Sequence, residues 1–148
     1  MSSVVKHYPN VIGGVKQVYP NVHPGAPKYA SAVVVDNLVF VSGMTAQDPA
    51  TGACLTETFR EQMNVCLNKL KATLEQVGSS LENVVKTLIL FKDIKDYQIM
   101  RATELEFYQK HAPRLVEEPP ASTILQVVSL ARPEFLIEIE AIAVVKRT

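Results

Sequence analysis

No charge of either sign predominates in this sequence: 15 Lys and Arg stand against 15 Asp and Glu, a formal net charge of zero. The molecule therefore has no overall field to draw it to nucleic acid or to an anionic membrane surface. A local patch would have to serve instead, yet Lys69, Lys71, Lys86, Lys92 and Lys95 are interleaved with acids and apolar residues, the pattern of a solvated surface. Nucleic acid is not expected as a partner. Cysteine is scarce too. Cys54 and Cys66 make neither a C-x-x-C pair nor a zinc cluster, and two thiols are no disulfide framework for a small secreted domain, so a reducing compartment is expected. His7, His23 and His111 are scattered, without metal-ligand spacing, and no metal is expected. Nowhere do about eighteen apolar residues run together, and residues 1–14 hold Lys6, His7, Pro9 and two glycines in place of a signal-peptide core. Neither secretion nor membrane insertion is expected, which leaves a cytoplasmic protein. No Gly/Ser linker or composition shift divides the chain.

What is there is ordinary for a globular protein. Hydrophobic residues make up 47% and charged residues 20% of 148 residues, enough for one core and too short for two. Val33–Val35 and Leu38–Val41 are β-branched runs joined by Asp36-Asn37, which predicts a hairpin whose second strand ends at Ser42-Gly43. Asp48-Pro49-Ala50-Thr51-Gly52 carries turn residues in turn order. From Phe59 the pattern changes. Phe59, Met63, Cys66, Leu67, Leu70, Leu74 and Val77 recur at three- and four-residue steps, with Thr58 and Glu61 at capping-box spacing and Gly78 placed to end the helix. Cys66 lies on that stripe, where a buried, inert thiol outweighs a catalytic one. Val84–Phe91 reads as a buried strand, and a second helix starts near Asp96 and runs to His111, with Tyr97, Met100, Phe107 and Tyr108 inward. Ala112-Pro113 stops it. A loop from Pro113 to Pro120, a strand over Ser122–Val128 and a last strand over Leu136–Val145 complete the chain.

Alternation in the last strand puts Glu138 and Glu140 on one face and Ile137, Ile139, Ala141 and Ala143 on the other. The two carboxylates either decorate a solvated or edge surface or line a cleft. The order hairpin, helix, strand, helix, strand, strand suits an α+β layer architecture, a mixed sheet with two helices packed on one face. The opposite face would then be bare and largely apolar, so self-association is expected.

Four phrases carry a resemblance: Leu38-Val39-Phe40-Val41-Ser42-Gly43, Asp48-Pro49-Ala50-Thr51-Gly52, Gly78-Ser79-Ser80-Leu81-Glu82-Asn83-Val84-Val85-Lys86-Thr87 and Ile137-Glu138-Ile139-Glu140-Ala141-Ile142-Ala143-Val144. In this order and spacing the chain, over roughly residues 25–145, resembles the YjgF/YER057c (Rid) family. Residues 1–24 then form an N-terminal extension to a single domain. The resemblance implies a chorismate-mutase-like fold, a homotrimer with a central β-barrel, and small-molecule clefts between subunits. It also implies cofactor-free hydrolysis of reactive enamines and imines to a 2-keto acid and ammonia. By that resemblance Tyr29 and Ser42 shape the cleft, Glu138 positions or activates water, and Glu140 is structural.

One family feature is missing. The arginine that grips the substrate carboxylate falls at Ala121, before Ser122, and the residue two further on is Thr123. A guanidinium meets a carboxylate with two hydrogen bonds, and losing such a contact costs about 1.5–3 kcal/mol, so carboxylate-bearing imines should bind poorly through Ala121. Arg101, where relatives carry a ligand-facing asparagine, is either an ordinary exposed helix arginine or the cleft cation moved to the second helix. Arg114 is a weaker candidate. Two function classes stay open: a hydrolase or deaminase of enamine- or imine-type metabolites, and a non-catalytic trimer that binds a metabolite or protein through the same clefts. The family's link to ribonuclease activity and translational inhibition ranks last, for want of a basic excess or an aromatic stacking motif.

Overall fold

The computed structural model describes residues 1–20 and 22–148. Strands β1 (Val5–Tyr8), β4 (Ala32–Val35), β5 (Leu38–Met44), β6 (Val84–Phe91), β7 (Ala121–Gln126) and β8 (Ile137–Val144) form one sheet in the order β1-β4-β5-β8-β6-β7, and β2 (Val11–Ile12) with β3 (Val15–Lys16) makes a separate small hairpin. All neighbours in the large sheet are antiparallel except β6 and β7, which run parallel. The parallel pair requires a crossover. Helix α2 (Tyr97–His111) and the one-turn α3 (Arg114–Glu117) make it, while α1 (Phe59–Gln76) packs on β5, β8 and α2. A chorismate-mutase-like α+β fold results, as the sequence led us to expect.

Helix α1 shows how sequence sets position. Thr58 caps it: its Oγ1 accepts from Glu61 N at 3.3 Å, and the Thr56 and Thr58 hydroxyls both donate to the Glu61 carboxylate. Those hydrogen bonds hold the Glu61 carboxyl below the usual glutamate range. Gly78 ends the helix at φ +81°, a left-handed conformation that glycine takes without cost. Between them Met63, Cys66, Leu67, Leu70 and Leu74 are buried, and burying a side chain of that size is worth about 1.5–3 kcal/mol. The opposing residues are Ile137, Ile139, Ala141 and Ala143, the inward set of β8.

The other parity of β8 faces away from the helices. By register, Ile142 lies between Phe40 and Lys86, Glu140 beside Leu88, and Glu138 beside Leu90. Leu38, Phe40 and Leu125 on this face are each more than 40% exposed. The bare apolar face inferred from the two-layer argument is thus present, and it is too large for a lone soluble domain to leave wet without consequence.

Several local differences have physical causes. β5 does not stop at Ser42-Gly43 but runs to Met44 through an irregularity in its pairing with β8, with Ser42 N held by Ser31 O at 3.0 Å and Ser42 Oγ by Ala30 O at 2.6 Å. α3 occupies what reads as loop between Pro113 and Pro120, because a single turn carrying one buried residue, Leu115, leaves no periodicity to detect. β1 joins the main sheet beside β4, its pairing unmarked by any local signal. Asp96 makes no capping bond; the cap is Asp93, which accepts from Lys95 N ahead of a short 3₁₀ turn leading into α2. No helix of the described residues is long and apolar enough to cross a membrane.

Candidate functional site

Glu138 and the bulged end of β5 meet face to face. A Cβ added at Gly43 would lie 2.9 Å from Glu138 Cδ and closer still to Oε1, so only a residue without a side chain lets the carboxylate lie across the strand. Burial pushes the Glu138 carboxyl above the usual range, the neighbouring charge of Glu140 adds to this, and Lys69 opposes it. Lys69 comes from α1 and is 7% exposed. Its Nζ donates to Thr45 O at 2.8 Å and Gln47 O at 3.0 Å, which ties down the chain just after the bulge. Burial also depresses the Lys69 ammonium, against the opposing charges of Glu138 and Asp48. Cys66 is fully buried and pushed up to about 12 by burial, as an inert core thiol should be.

Tyr29 stands ahead of β4 and belongs to the same neighbourhood. Its phenol is raised by partial burial and then by the Glu138 charge, while the Asn10 amide pulls the other way. The Tyr19 ring packs edge-on against it at 5.2 Å, and Tyr19 Oη donates to Tyr29 O at 3.2 Å. The bulged end of β5 at Gly43 and Glu138 are therefore in contact within one chain, and the Glu138 charge reaches the Tyr29 phenol. A carboxylate raised above the usual range and lying against a bulge is a stronger base toward water than a free one. We expect Gly43→Ala to displace only the flexible end of Glu138 and to leave stability within about 1 kcal/mol by thermal unfolding, yet to cut any Glu138-dependent turnover about tenfold.

Arg101, Ala121 and Thr123 lie elsewhere. Ser122 faces the helices, where Thr87 Oγ1 donates to it at 2.9 Å, and with Arg101, Glu104, Tyr108, Leu115 and Pro120 it lines a groove of about 450 Å³ between α2, α3 and β7. In it Arg101 Nε lies 3.6 Å from Glu104 Oε2. Ala121 and Thr123 face the opposite way, on the bare side of the sheet, so β7 stands between them and Arg101 within one chain. Arg114 is taken up by Glu118 at 3.1 Å. The residue beside Ala121 is Lys86, its partner in the parallel β6–β7 register, and Lys86 Nζ donates to Thr123 Oγ1 at 2.9 Å. The sequence does not single out Gly43, Lys69 or Lys86 as site residues, and Lys69, expected on a solvated surface, is buried instead because its ammonium finds two backbone carbonyls. Gly43 and Lys86 require strand register, which no local pattern encodes, whereas Lys69 was marked by a charge next to the apolar stripe of α1.

The Endoribonuclease L-PSP family profile matches residues 21–145. A RutC family protein of Pyrococcus abyssi is 35% identical over 122 residues, covering 80% of this chain and 90% of that protein. The 2-iminobutanoate/2-iminopropanoate deaminase of Salmonella typhimurium is 34% identical over 116 residues, covering 78% and 86%. Among solved structures, the YjgF gene product of E. coli superposes with a TM-score of 0.74 at 27% identity, over 90% of this chain and 95% of that one.

Proposed function

This chain belongs to the Endoribonuclease L-PSP (YjgF/YER057c) family, and from that premise we propose that it hydrolyses a reactive enamine- or imine-type metabolite, without a cofactor, as a homotrimer with clefts between subunits. The observation that carries this reading is the close approach of the half-buried Glu138 carboxylate to Gly43 at the bulged end of β5. In the proposed reaction water adds to the C=N carbon and gives a proton to Glu138, Glu138 returns that proton to the nitrogen, and the carbinolamine then collapses as its hydroxyl loses a proton and the C–N bond breaks, leaving a ketone and ammonia. Glu138 suits the task because its raised carboxyl is a stronger base than a free one. Tyr29 and Ser42 shape the cleft, and Thr123 contributes a hydroxyl beside Ala121.

The trimer is proposed from the bare apolar face, on which Leu38, Phe40 and Leu125 offer their side chains to a second copy. Light scattering on the purified chain should give the mass of three chains; a monomer contradicts the shared cleft. Because β7 separates Arg101 from Ala121 within one chain, Arg101 is proposed to offset Ala121 only across a contact between copies, and unchanged turnover in Arg101→Ala removes that role. The second reading, a non-catalytic trimer that binds a metabolite or protein through the same clefts, is favoured by one observation, the alanine at 121. Saturable binding of 2-oxobutanoate without ammonia release from the corresponding imine would select it.

A further inference from the structure

Between Pro9 and Lys28 the chain builds two adjoining cavities, of about 450 and 210 Å³, that share Lys16, Gln17, Tyr19 and Lys28 as walls. Their backbone frame is pinned. Gln17 N donates to Asn10 O at 3.0 Å, Val18 N to Pro49 O at 2.7 Å, and Gln47 Nε2 to Val18 O at 2.9 Å. The β2–β3 hairpin packs on α1 with Ile12 buried in the core, which sets it on the helix side of the sheet. Leu38, Phe40 and Leu125 of the bare face line neither cavity. The lining is cationic: Lys16 and Lys28 have no ion-pair partner among the described residues, and no described Asp or Glu lines either space. Lys28 Nζ lies 5.7 Å from the centre of the Tyr19 ring, whose phenol burial pushes up to about 12, so Tyr19 adds no negative charge. In the larger cavity His23 Nδ1 accepts from Gly25 N at 3.0 Å, which leaves Nε2 to carry the ring hydrogen. In the smaller one Asn10 Nδ2 is shut off from solvent and, among the described residues, has no hydrogen-bond partner; the Tyr29 phenol that it influences lies outside ordinary hydrogen-bonding geometry. A buried donor left unpaired carries a cost that a bound acceptor removes.

We propose that these two cavities together bind a phosphate monoester of a small polar molecule. The phosphate occupies the larger space, where Lys16 and Lys28 balance its two charges. Its three terminal oxygens accept from the two ammoniums and from His23 Nε2, and charge-assisted hydrogen bonds of this kind are the strong ones. A carboxylate, with one charge and two oxygens, uses fewer of these donors. The ester's organic body enters the smaller space, where its hydroxyl oxygens give Asn10 Nδ2 the acceptor it lacks. A space of about 210 Å³ suits a body of a few carbon atoms. The site does not depend on imine hydrolysis, because Glu138, Ser42 and Tyr29 line neither cavity.

Titration of the full chain with glycerol 3-phosphate, followed by amide NMR, tests the assignment. Saturable shifts should appear at the backbone amides of residues 16–19, 23, 25 and 28 and at the side-chain amide of Asn10. Lys16→Gln and Lys28→Gln each keep a hydrogen-bond donor but remove a charge, and each should weaken binding about tenfold. Lys110→Gln, on α2, should leave the affinity unchanged. Malonate, a dianion without a phosphate, should bind the wild type at least about tenfold more weakly than glycerol 3-phosphate does. That comparison needs no variant, and thermal melts matching the wild type keep the variants interpretable. Absence of saturable shifts at these residues, equal affinities in wild type and both cavity variants, an equal loss in Lys110→Gln, or malonate binding as tightly overturns the site. Failure of imine hydrolysis in the same preparation would count against the proposed function alone.

Discussion

Glu138→Gln is expected to lose about 10²- to 10⁴-fold in imine hydrolysis while unfolding at the same temperature as the wild type at neutral pH, or higher. The two halves of this result share one cause. Burial and the adjacent Glu140 raise the Glu138 carboxyl, and Lys69 only partly offsets them. A carboxyl raised in the folded state binds a proton more tightly there than in the unfolded chain. Its stabilising contribution is therefore complete below the ordinary glutamate pKa and is lost as pH rises through the elevated folded value. Above that elevated value the ionised side chain thus opposes folding, and the neutral amide relieves that opposition while removing the base. Turnover by the wild type should fall on the acid side as Glu138 takes up its proton. That acid limb should start at higher pH than a free carboxylate would give, and it should vanish from the residual activity of the variant. A variant that loses activity and several degrees of stability together would instead make Glu138 a structural residue.

Ala121→Arg should raise kcat/KM for carboxylate-bearing imines about 10- to 100-fold, with little change for uncharged ones. A guanidinium at the start of β7 could meet a carboxylate with two hydrogen bonds, worth about 1.5–3 kcal/mol. The new cation would stand beside Lys86, its partner in the β6–β7 register. That repulsion is the smaller effect, because charges near the surface are screened by water and salt, where a typical pair is worth only ~1 kcal/mol or less. Steady-state kinetics on one charged and one neutral imine check this directly. An equal gain for both substrates would show that the arginine acts on the fold of the strand and not on the carboxylate.

How far the sequence led can be seen residue by residue. The apolar stripe of α1, its Thr58 cap and its Gly78 stop are local, and the helix lies where they put it. The alternation of β8 is local as well, and its inward Ile137, Ile139, Ala141 and Ala143 are buried as that pattern requires. Nonlocal features were not legible. That β1 adds to the edge of β4, or that Lys86 pairs with Ala121 in a parallel ladder, depends on register between distant segments. The site divides the same way. Tyr29, Ser42 and Glu138 were carried by motifs, but the reason Glu138 can lie across β5 is Gly43, and that needs coordinates. Arg101 and Ala121 could be aligned from sequence, yet only the direction of side chains along β7 shows that one chain keeps them on opposite sides of the strand.

The most direct measurement is the rate of ammonia release from a freshly generated 2-imino acid, with wild-type protein and without it. We expect release to be accelerated in proportion to wild-type protein, with a matching yield of 2-keto acid and abolition by Glu138→Gln. Release that proceeds at the spontaneous rate with wild type present, across imines with and without a carboxylate, would contradict the hydrolytic account.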